Sequence, residues 1–100
     1  MIVVITGEAE ADLEEIGDWI AENNPLRAVT FVRTLHEKCL SLANAPEAFP
    51  LVPRYELSGV RRRPYRDYLI FYHVNDDAVE ILHVLHAARD YEGMLFRETE

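Results

Sequence analysis

Basic residues are missing from the start of this sequence, where no Lys or Arg precedes Arg27. The whole chain has 18 Asp and Glu against 10 Lys and Arg, which gives a formal net charge of −8. Binding along nucleic acid without regard to sequence needs many cations on one surface, because the phosphates must be neutralised. The charge balance therefore argues against wide, sequence-independent contact with nucleic acid, but it allows a local anion site among the arginines of residues 54–66.

Paired cysteines and long apolar runs are absent as well. The single cysteine, Cys39, cannot form an internal disulfide. It falls on the apolar side of a predicted helix, which favours a small core residue. No apolar run approaches the roughly 18–20 residues that cross a bilayer, and the run at residues 2–5 is too short for a signal peptide. We expect a cytoplasmic protein without membrane association, with residues 1–100 forming one domain.

A short strand at residues 2–5 precedes two segments with helical periodicity. Thr6 is predicted to cap the first helix, and Asn24 the second, which starts at Pro25 and reaches about Ala43. The carboxylates of the first helix fall mainly off its apolar stripe, so we expect a solvated acidic face; docking of a basic partner is the alternative. Helices joined this tightly form an antiparallel hairpin.

A β-hairpin is the feature that the sequence encodes most strongly. Two runs rich in β-branched and aromatic residues, Tyr68–Val74 and Val79–His86, flank a short polar turn. A turn centred on Asp76 and Asp77 gives the pairs Val74 with Val79, His73 with Glu80, and Tyr72 with Ile81. Neither run alternates between apolar and polar residues, so both faces should be covered. We expect the helical hairpin to cover one face and a partner chain to cover the other.

An arginine-rich strand is predicted over residues 60–65, with Arg62 on one side and Arg61 and Arg63 on the other. Pro64 confines this strand to a sheet edge. A short helical turn anchored by Leu95 and Phe96 is predicted near the end of the chain. The predicted order is β-α-α-β-β-β, an α+β fold in which a small, mainly antiparallel sheet packs on a helical hairpin.

The candidate residues for chemistry are mainly cationic. They are Arg61, Arg62, Arg63, Arg66, His86 and Arg89, with Tyr91 nearby. Cleavage of RNA at its own 2′-hydroxyl needs a base, an acid and cations, and arginine supplies only the cation because its pKa is so high. An exposed basic edge that contacts a partner and a catalytic site both remain open. No spacing of His, Cys, Asp and Glu is typical of a metal site, so neither metal nor cofactor is expected.

The sequence resembles the ParE toxins of the RelE/ParE superfamily, the toxin halves of type II toxin–antitoxin pairs, from about residue 3 to 95. The resemblance lies in the segments EAEADLEEIGDWIAENNPLRAVTFVRTL, GVRRRPYRDYLIFYHV and VEILHVLHAARD. It implies a sheet packed on a helical hairpin, neutralisation by a ParD-like antitoxin, and inhibition of DNA gyrase by protein binding, without hydrolysis. It also implies a role in plasmid stabilisation and no sequence-specific nucleic-acid binding by the toxin alone.

RelE-type members of the same superfamily are ribosome-dependent messenger-RNA endonucleases that end in a Tyr or a His-Tyr pair. Arg89 corresponds to the arginine after their last strand, and a nuclease would use Arg62, Arg66, His86 and Arg89. Residues 94–100 contain neither Tyr nor His, which favours the ParE-type interpretation. Its candidates for target contact are Arg61, Arg62, Arg63, Arg66, Arg89 and Tyr91. A degenerate, non-toxic module that only binds an antitoxin is the third possibility.

Overall fold

A computed structural model describes residues 1–96 and confirms the predicted α+β class and element order. The elements are β1 (Ile2–Ile5), α1 (Gly7–Ala21), α2 (Pro25–Leu40), β2 (Val60–Tyr65), β3 (Tyr68–Val74), β4 (Ala78–His86) and α3 (Tyr91–Leu95). The strands lie in the order β1-β4-β3-β2, with β1 parallel to β4 and the other pairs antiparallel. Residues 97–100, part of the tail without Tyr or His, lie outside the described range. Among the helices described, none is both long and apolar enough to cross a membrane.

Both predicted helix caps are confirmed. The Thr6 hydroxyl accepts a hydrogen bond from the backbone N–H of Ala9 at 3.2 Å, and the Asn24 side chain accepts one from Arg27 at 3.1 Å. Such caps satisfy backbone donors that have no partner within the helix. The second helix ends at Leu40 and continues as a 3₁₀ turn to Ala43. The predicted helix boundaries therefore hold to within one turn.

The main core lies between the sheet and the α1–α2 hairpin. Its fully buried members include Leu35 and Cys39 from α2, with Ile70, Tyr72, Val79 and Ile81 from β3 and β4. The one hydroxyl in this set, that of Tyr72, donates a hydrogen bond to the carbonyl oxygen of Pro46 at 2.8 Å. Burial of a polar group is tolerated when it is bonded in this way. The loop after α2 is therefore fixed to the sheet.

Cys39 is predicted to react with a disulfide reagent only after the protein unfolds. Burial raises the pKa of its thiol to about 12, although the nearby Arg63 guanidinium acts in the opposite direction. The thiolate is the reactive form, so a raised pKa and burial both protect the sulfur. The measurement is the rate of thiol modification near pH 8 with and without denaturing guanidinium chloride. A native thiol that reacts as fast as the denatured one would contradict this burial.

The opposite face of the sheet is covered by the chain itself near β2 and β3, where the sequence suggested a partner. A second buried group consists of Val52, Val60, Leu69, Phe71 and Leu85. Aromatic side chains close over it: Tyr55 stacks on Phe96 with ring centroids 4.0 Å apart, and Tyr91 lies 4.9 Å from Phe71. The cover does not reach β1, where Ile2 and Val4 are 65% and 44% exposed. The expectation of a partner cover is therefore wrong for this half of the sheet.

The register of the β3–β4 hairpin is confirmed next to its turn and changes farther along. The pairs Val74 with Val79, His73 with Glu80, and Tyr72 with Ile81 are all present. The register then shifts, so that Phe71 pairs with His83 and Leu82 has no opposite residue. An extra residue of this kind is a β-bulge, which bends and twists the strand.

Asp12 of α1 contacts β4 beside this bulge. One of its carboxylate oxygens, Oδ2, lies 2.8 Å from Nδ1 of His83 and accepts the backbone N–H of Val84 at 2.9 Å. The side chains of Asp12 and His83 are only 13% and 18% exposed. The predicted solvated acidic face is therefore wrong at this position, because Asp12 fastens the helix to the sheet.

Candidate functional site

The arginines of β2 separate into two groups that face opposite sides of the sheet. On the helix side, Arg61 donates to the carbonyl oxygen of Phe49 at 2.7 Å. Arg63 donates to the carbonyl oxygen of Lys38 at 3.0 Å and to the Ser41 hydroxyl at 2.8 Å. Within residues 1–96 these guanidinium groups form no ion pair; they donate to oxygens at the end of α2 and in the loop that follows. Both arginines therefore hold the fold together.

Arg62 lies on the other face, as the strand alternation predicts. Its guanidinium donates a hydrogen bond of 2.6 Å to the hydroxyl of Tyr91, whose ring contacts Phe71. Two of the candidate site residues, Arg62 and Tyr91, are thus bound to each other. Together they attach α3 to the sheet.

The other three candidates, Arg66, His86 and Arg89, lie at one end of the sheet. His86 ends β4 and pairs in register with Tyr68, the first residue of β3. The rings of these two residues meet edge to face with centroids 5.3 Å apart. Arg66 occupies the two-residue turn between β2 and β3, and Arg89 follows β4. The fold therefore brings together three of the four residues proposed for a nuclease, while Arg62 lies elsewhere.

The backbone of Arg66 is in an unusual conformation for a residue with a side chain. Its φ is +55°, in the left-handed region that glycine adopts without strain. For other residues this conformation costs roughly 1–2 kcal/mol. Turns between paired strands ordinarily place Gly, Asn or Asp at such positions. Arginine at this position therefore lowers the stability of the fold. Backbone strain of this kind is concentrated at functional sites.

Two adjoining cavities open at this end of the sheet, and we call them together the turn-end groove. The larger, of about 540 Å³, is lined by Glu15, Ile16, Trp19, Tyr68, Val84, Leu85, His86 and Arg89. The smaller, of about 310 Å³, is lined by Trp19, Ile20, Arg27, Phe31, Arg66, Asp67, Tyr68 and His86. Trp19, Tyr68 and His86 border both cavities, so the two lie side by side.

Sequence reasoning missed the contributions of the helices to this groove. Trp19 is 68% exposed, next to the apolar stripe of α1 but outside it. A large aromatic residue left outside a helix stripe is the signal that could have identified it, because exposed Trp is common in binding sites. Arg27 gave no comparable signal.

The histidine and the tyrosine of the groove act as hydrogen-bond donors, and the groove also contains the carboxylates of Glu15 and Asp67. Nδ1 of His86 accepts the backbone N–H of Ala88 at 3.0 Å, so the proton of the neutral ring lies on Nε2. Burial, and after it the Asp67 carboxylate, raises the pKa of the Tyr68 hydroxyl, which therefore stays protonated. Within residues 1–96, no three His, Cys, Asp or Glu side chains are placed to bind a metal ion.

Comparison with known proteins agrees with the fold and with the sequence resemblance. Residues 3–91 match the family described as the ParE toxin of the type II toxin–antitoxin system parDE. Toxin RelE2 of Caulobacter vibrioides is 38% identical over 87 residues, which are 87% of this chain and 96% of that protein.

Two solved structures share the architecture. One is from the chromosomal ParDE toxin–antitoxin system of P. aeruginosa, with a TM-score of 0.75, 24% identity, and coverage of 86% of this chain and 95% of that one. The other is from the RelBE2 toxin–antitoxin complex of Mycobacterium tuberculosis, with a TM-score of 0.64, 25% identity, and coverage of 88% and 92%. The family match spans most of the sequence, and the chain therefore belongs to the RelE/ParE superfamily, the toxins of type II toxin–antitoxin systems.

Proposed function

We propose that this toxin inhibits DNA gyrase by binding it, without catalysis, and that a ParD-like antitoxin neutralises it. The observation that supports this most strongly is the engagement of the β2 arginines. Arg61 and Arg63 are bonded to backbone carbonyl oxygens, and Arg62 is bonded to Tyr91. A nuclease needs cations directed at the phosphate during the reaction. Guanidinium groups that already hold the fold together are poorly suited to that task.

Proton transfer is the second requirement, and His86 and Tyr68 of the groove meet it poorly. A general base must have a free lone pair within reach of the proton that it removes. In His86 the lone pair of Nδ1 is used by Ala88, and Nε2 carries the proton. The raised pKa of Tyr68 keeps its hydroxyl from acting as a base near neutral pH. These features favour binding over catalysis.

An antitoxin partner is supported by the relatives. The matching family is that of parDE systems, and the M. tuberculosis structure is of a toxin–antitoxin complex. The exposed apolar side chains of β1, Ile2 and Val4, provide surface that a partner would cover. Neutralisation by a bound antitoxin fits these observations.

A RelE-type ribosome-dependent nuclease is the second candidate. Two observations favour it: the C. vibrioides relative is named a RelE toxin, and Arg66, His86 and Arg89 lie around one groove. Under this alternative Arg62 would have to be released from Tyr91 before it could contact RNA. The two activities are distinguished by whether the purified toxin inhibits gyrase or cleaves messenger RNA.

We expect titration of the toxin into purified gyrase to block plasmid supercoiling, while messenger RNA on translating ribosomes stays intact. The two assays use the same toxin preparation. A positive result in one assay then shows that the toxin is active, so that a negative result in the other is not due to inactive protein. Message incubated without ribosomes detects contaminating ribonuclease. Cut message with unaffected gyrase would reject the proposal in favour of the nuclease. A folded toxin that is inert in both assays and leaves growth unaffected would indicate a degenerate module.

A further inference from the structure

We propose that the turn-end groove is where the toxin binds its target, and that its occupant is a peptide segment with an apolar side chain flanked by carboxylates. This rests on the proposed function in so far as the target is a protein. It goes beyond that function by naming the surface and the chemistry of what it binds. The occupant follows from the apolar lining, the charges around the groove, and the strained turn.

The floor of the larger cavity is suited to an apolar anchor. Its lining includes the buried side chains of Ile16, Val84 and Leu85, and the exposed Trp19 borders it. A volume of about 540 Å³ is within the range of ordinary ligand pockets and exceeds what one large side chain needs. Trp is one of the residues enriched in interface hot spots.

Three arginines surround the groove in a chain whose net charge is −8. Within residues 1–96, no hydrogen bond or ion pair engages the guanidinium groups of Arg27 and Arg66. Among the described residues, the Arg89 guanidinium makes a single long, exposed contact, with Glu15 at 4.0 Å, and such pairs contribute little to stability. Guanidinium groups bind carboxylates with two parallel hydrogen bonds. An acidic segment would therefore find its charge partners here and few elsewhere on this acidic protein.

The same lining disfavours a nucleic-acid strand. Glu15, whose side chain is 76% exposed, and Asp67 stand among the three arginines, so a phosphate chain would meet carboxylates as well as cations. Phosphate backbones are held by positively charged grooves that follow the strand. A peptide, in contrast, places its few charges at separate points and its apolar side chain between them. The charge pattern is thus that of a protein-binding groove.

The strained backbone of Arg66 supports a role for its side chain in binding. A glycine would relieve the strain at φ +55° and would remove the side chain. If the arginine has no role in binding, this change should leave gyrase inhibition unaltered. If it serves binding, stability and activity should respond in opposite directions.

The test compares three groove variants with one matched control. The variants are Arg89→Glu, Arg66→Gly and Trp19→Ala; the control is Arg33→Glu, an exposed charge reversal on α2 outside the groove. Each is measured for the concentration that half-inhibits gyrase supercoiling, for growth arrest on induction, and for thermal unfolding. We expect Arg89→Glu and Trp19→Ala to weaken inhibition by about tenfold or more, as for interface hot spots. Arg66→Gly should weaken inhibition while its melting temperature is unchanged or higher, and Arg33→Glu should match the wild type.

Each outcome decides between the two proposals. Equal gyrase inhibition by folded groove variants and wild type would overturn the groove and leave the gyrase assignment standing. Growth arrest with unaffected gyrase and intact message, abolished in the groove variants alone, would overturn gyrase and support the groove for another protein. Ribosome-dependent message cleavage that the groove variants lose would overturn the peptide occupant in favour of RNA. A wild type inert in every assay would reject both proposals.

Discussion

Truncation of Phe71 to alanine is expected to lower the free energy of unfolding by about 3–5 kcal/mol, the usual cost of removing a large aromatic from a core. Phe71 is fully buried on the sheet face opposite the helical hairpin, where it contacts Tyr91. Its removal leaves a cavity beneath α3. The free energy of unfolding of small domains is roughly 5–15 kcal/mol, so this one change would remove a large part of it. Urea denaturation followed by circular dichroism measures the loss.

Leu57→Ala is the matched control for Phe71, because Leu57 is a large apolar residue that is fully exposed. Its truncation should change the free energy of unfolding by less than about 0.5 kcal/mol. If Phe71→Ala cost no more than Leu57→Ala, the second face would not be closed by the chain's own residues. A partner would then be needed there, as the sequence alone suggested.

Replacing Asp12 by alanine is expected to destabilise the protein by about 2–3 kcal/mol. The change removes a carboxylate oxygen that accepts the N–H of Val84 and contacts His83, and it leaves both without their partner. Hydrogen bonds to charged groups contribute about 1.5–3 kcal/mol, and an unpaired buried donor costs about 1–3 kcal/mol. The same denaturation experiment measures the effect.

Asp18→Ala is the control for Asp12, because it removes a carboxylate from the same helix at an exposed position. Its effect should stay within about 0.5 kcal/mol. A double-mutant cycle with His83→Ala isolates the contribution of the Asp12–His83 contact. Equal losses for the two aspartates, or a coupling energy of zero, would show that the contact does not fasten α1 to β4.

The parts of the fold that sequence predicted are those with a local cause. The hairpin turn illustrates this, since the Asn75 side chain accepts the N–H groups of Asp77 and Ala78 and so sets the turn. The register next to the turn follows from it. Thr6 and Asn24 were identified as caps for the same reason: each bonds a backbone donor three residues away.

The sequence could not predict the bulge at Leu82 or the contact between Asp12 and β4. Neither feature is caused by the residues next to it in the sequence. Residues 81–84 contain no glycine or other residue typical of a bulge. Asp12 has the same charge and helical context as its exposed neighbours, and it differs from them because β4 passes beside it. Its partner His83 is 71 residues away in sequence.

The arginine cluster shows the same limit for the candidate site. Sequence places Arg61, Arg62, Arg63 and Arg66 next to one another, but the strand alternation and the turn send them in different directions. The oxygens that bind Arg61 and Arg63 belong to the loop after α2 and to the end of that helix, which sequence could not position. The groove combines residues as distant as Trp19 and Arg89, so no local pattern could define it.

The parallel pairing of β1 with β4 has a consequence for vectorial synthesis on the ribosome. Thr6 donates its hydroxyl to the carbonyl oxygen of Ile81, 75 residues later. At about 5–20 residues per second, the first strand waits roughly 4–15 s for its neighbour to be made. Trp19 waits similarly for His86 and Arg89, with which it lines the groove. A nascent toxin is therefore unable to present this surface until His86 and Arg89 have been translated.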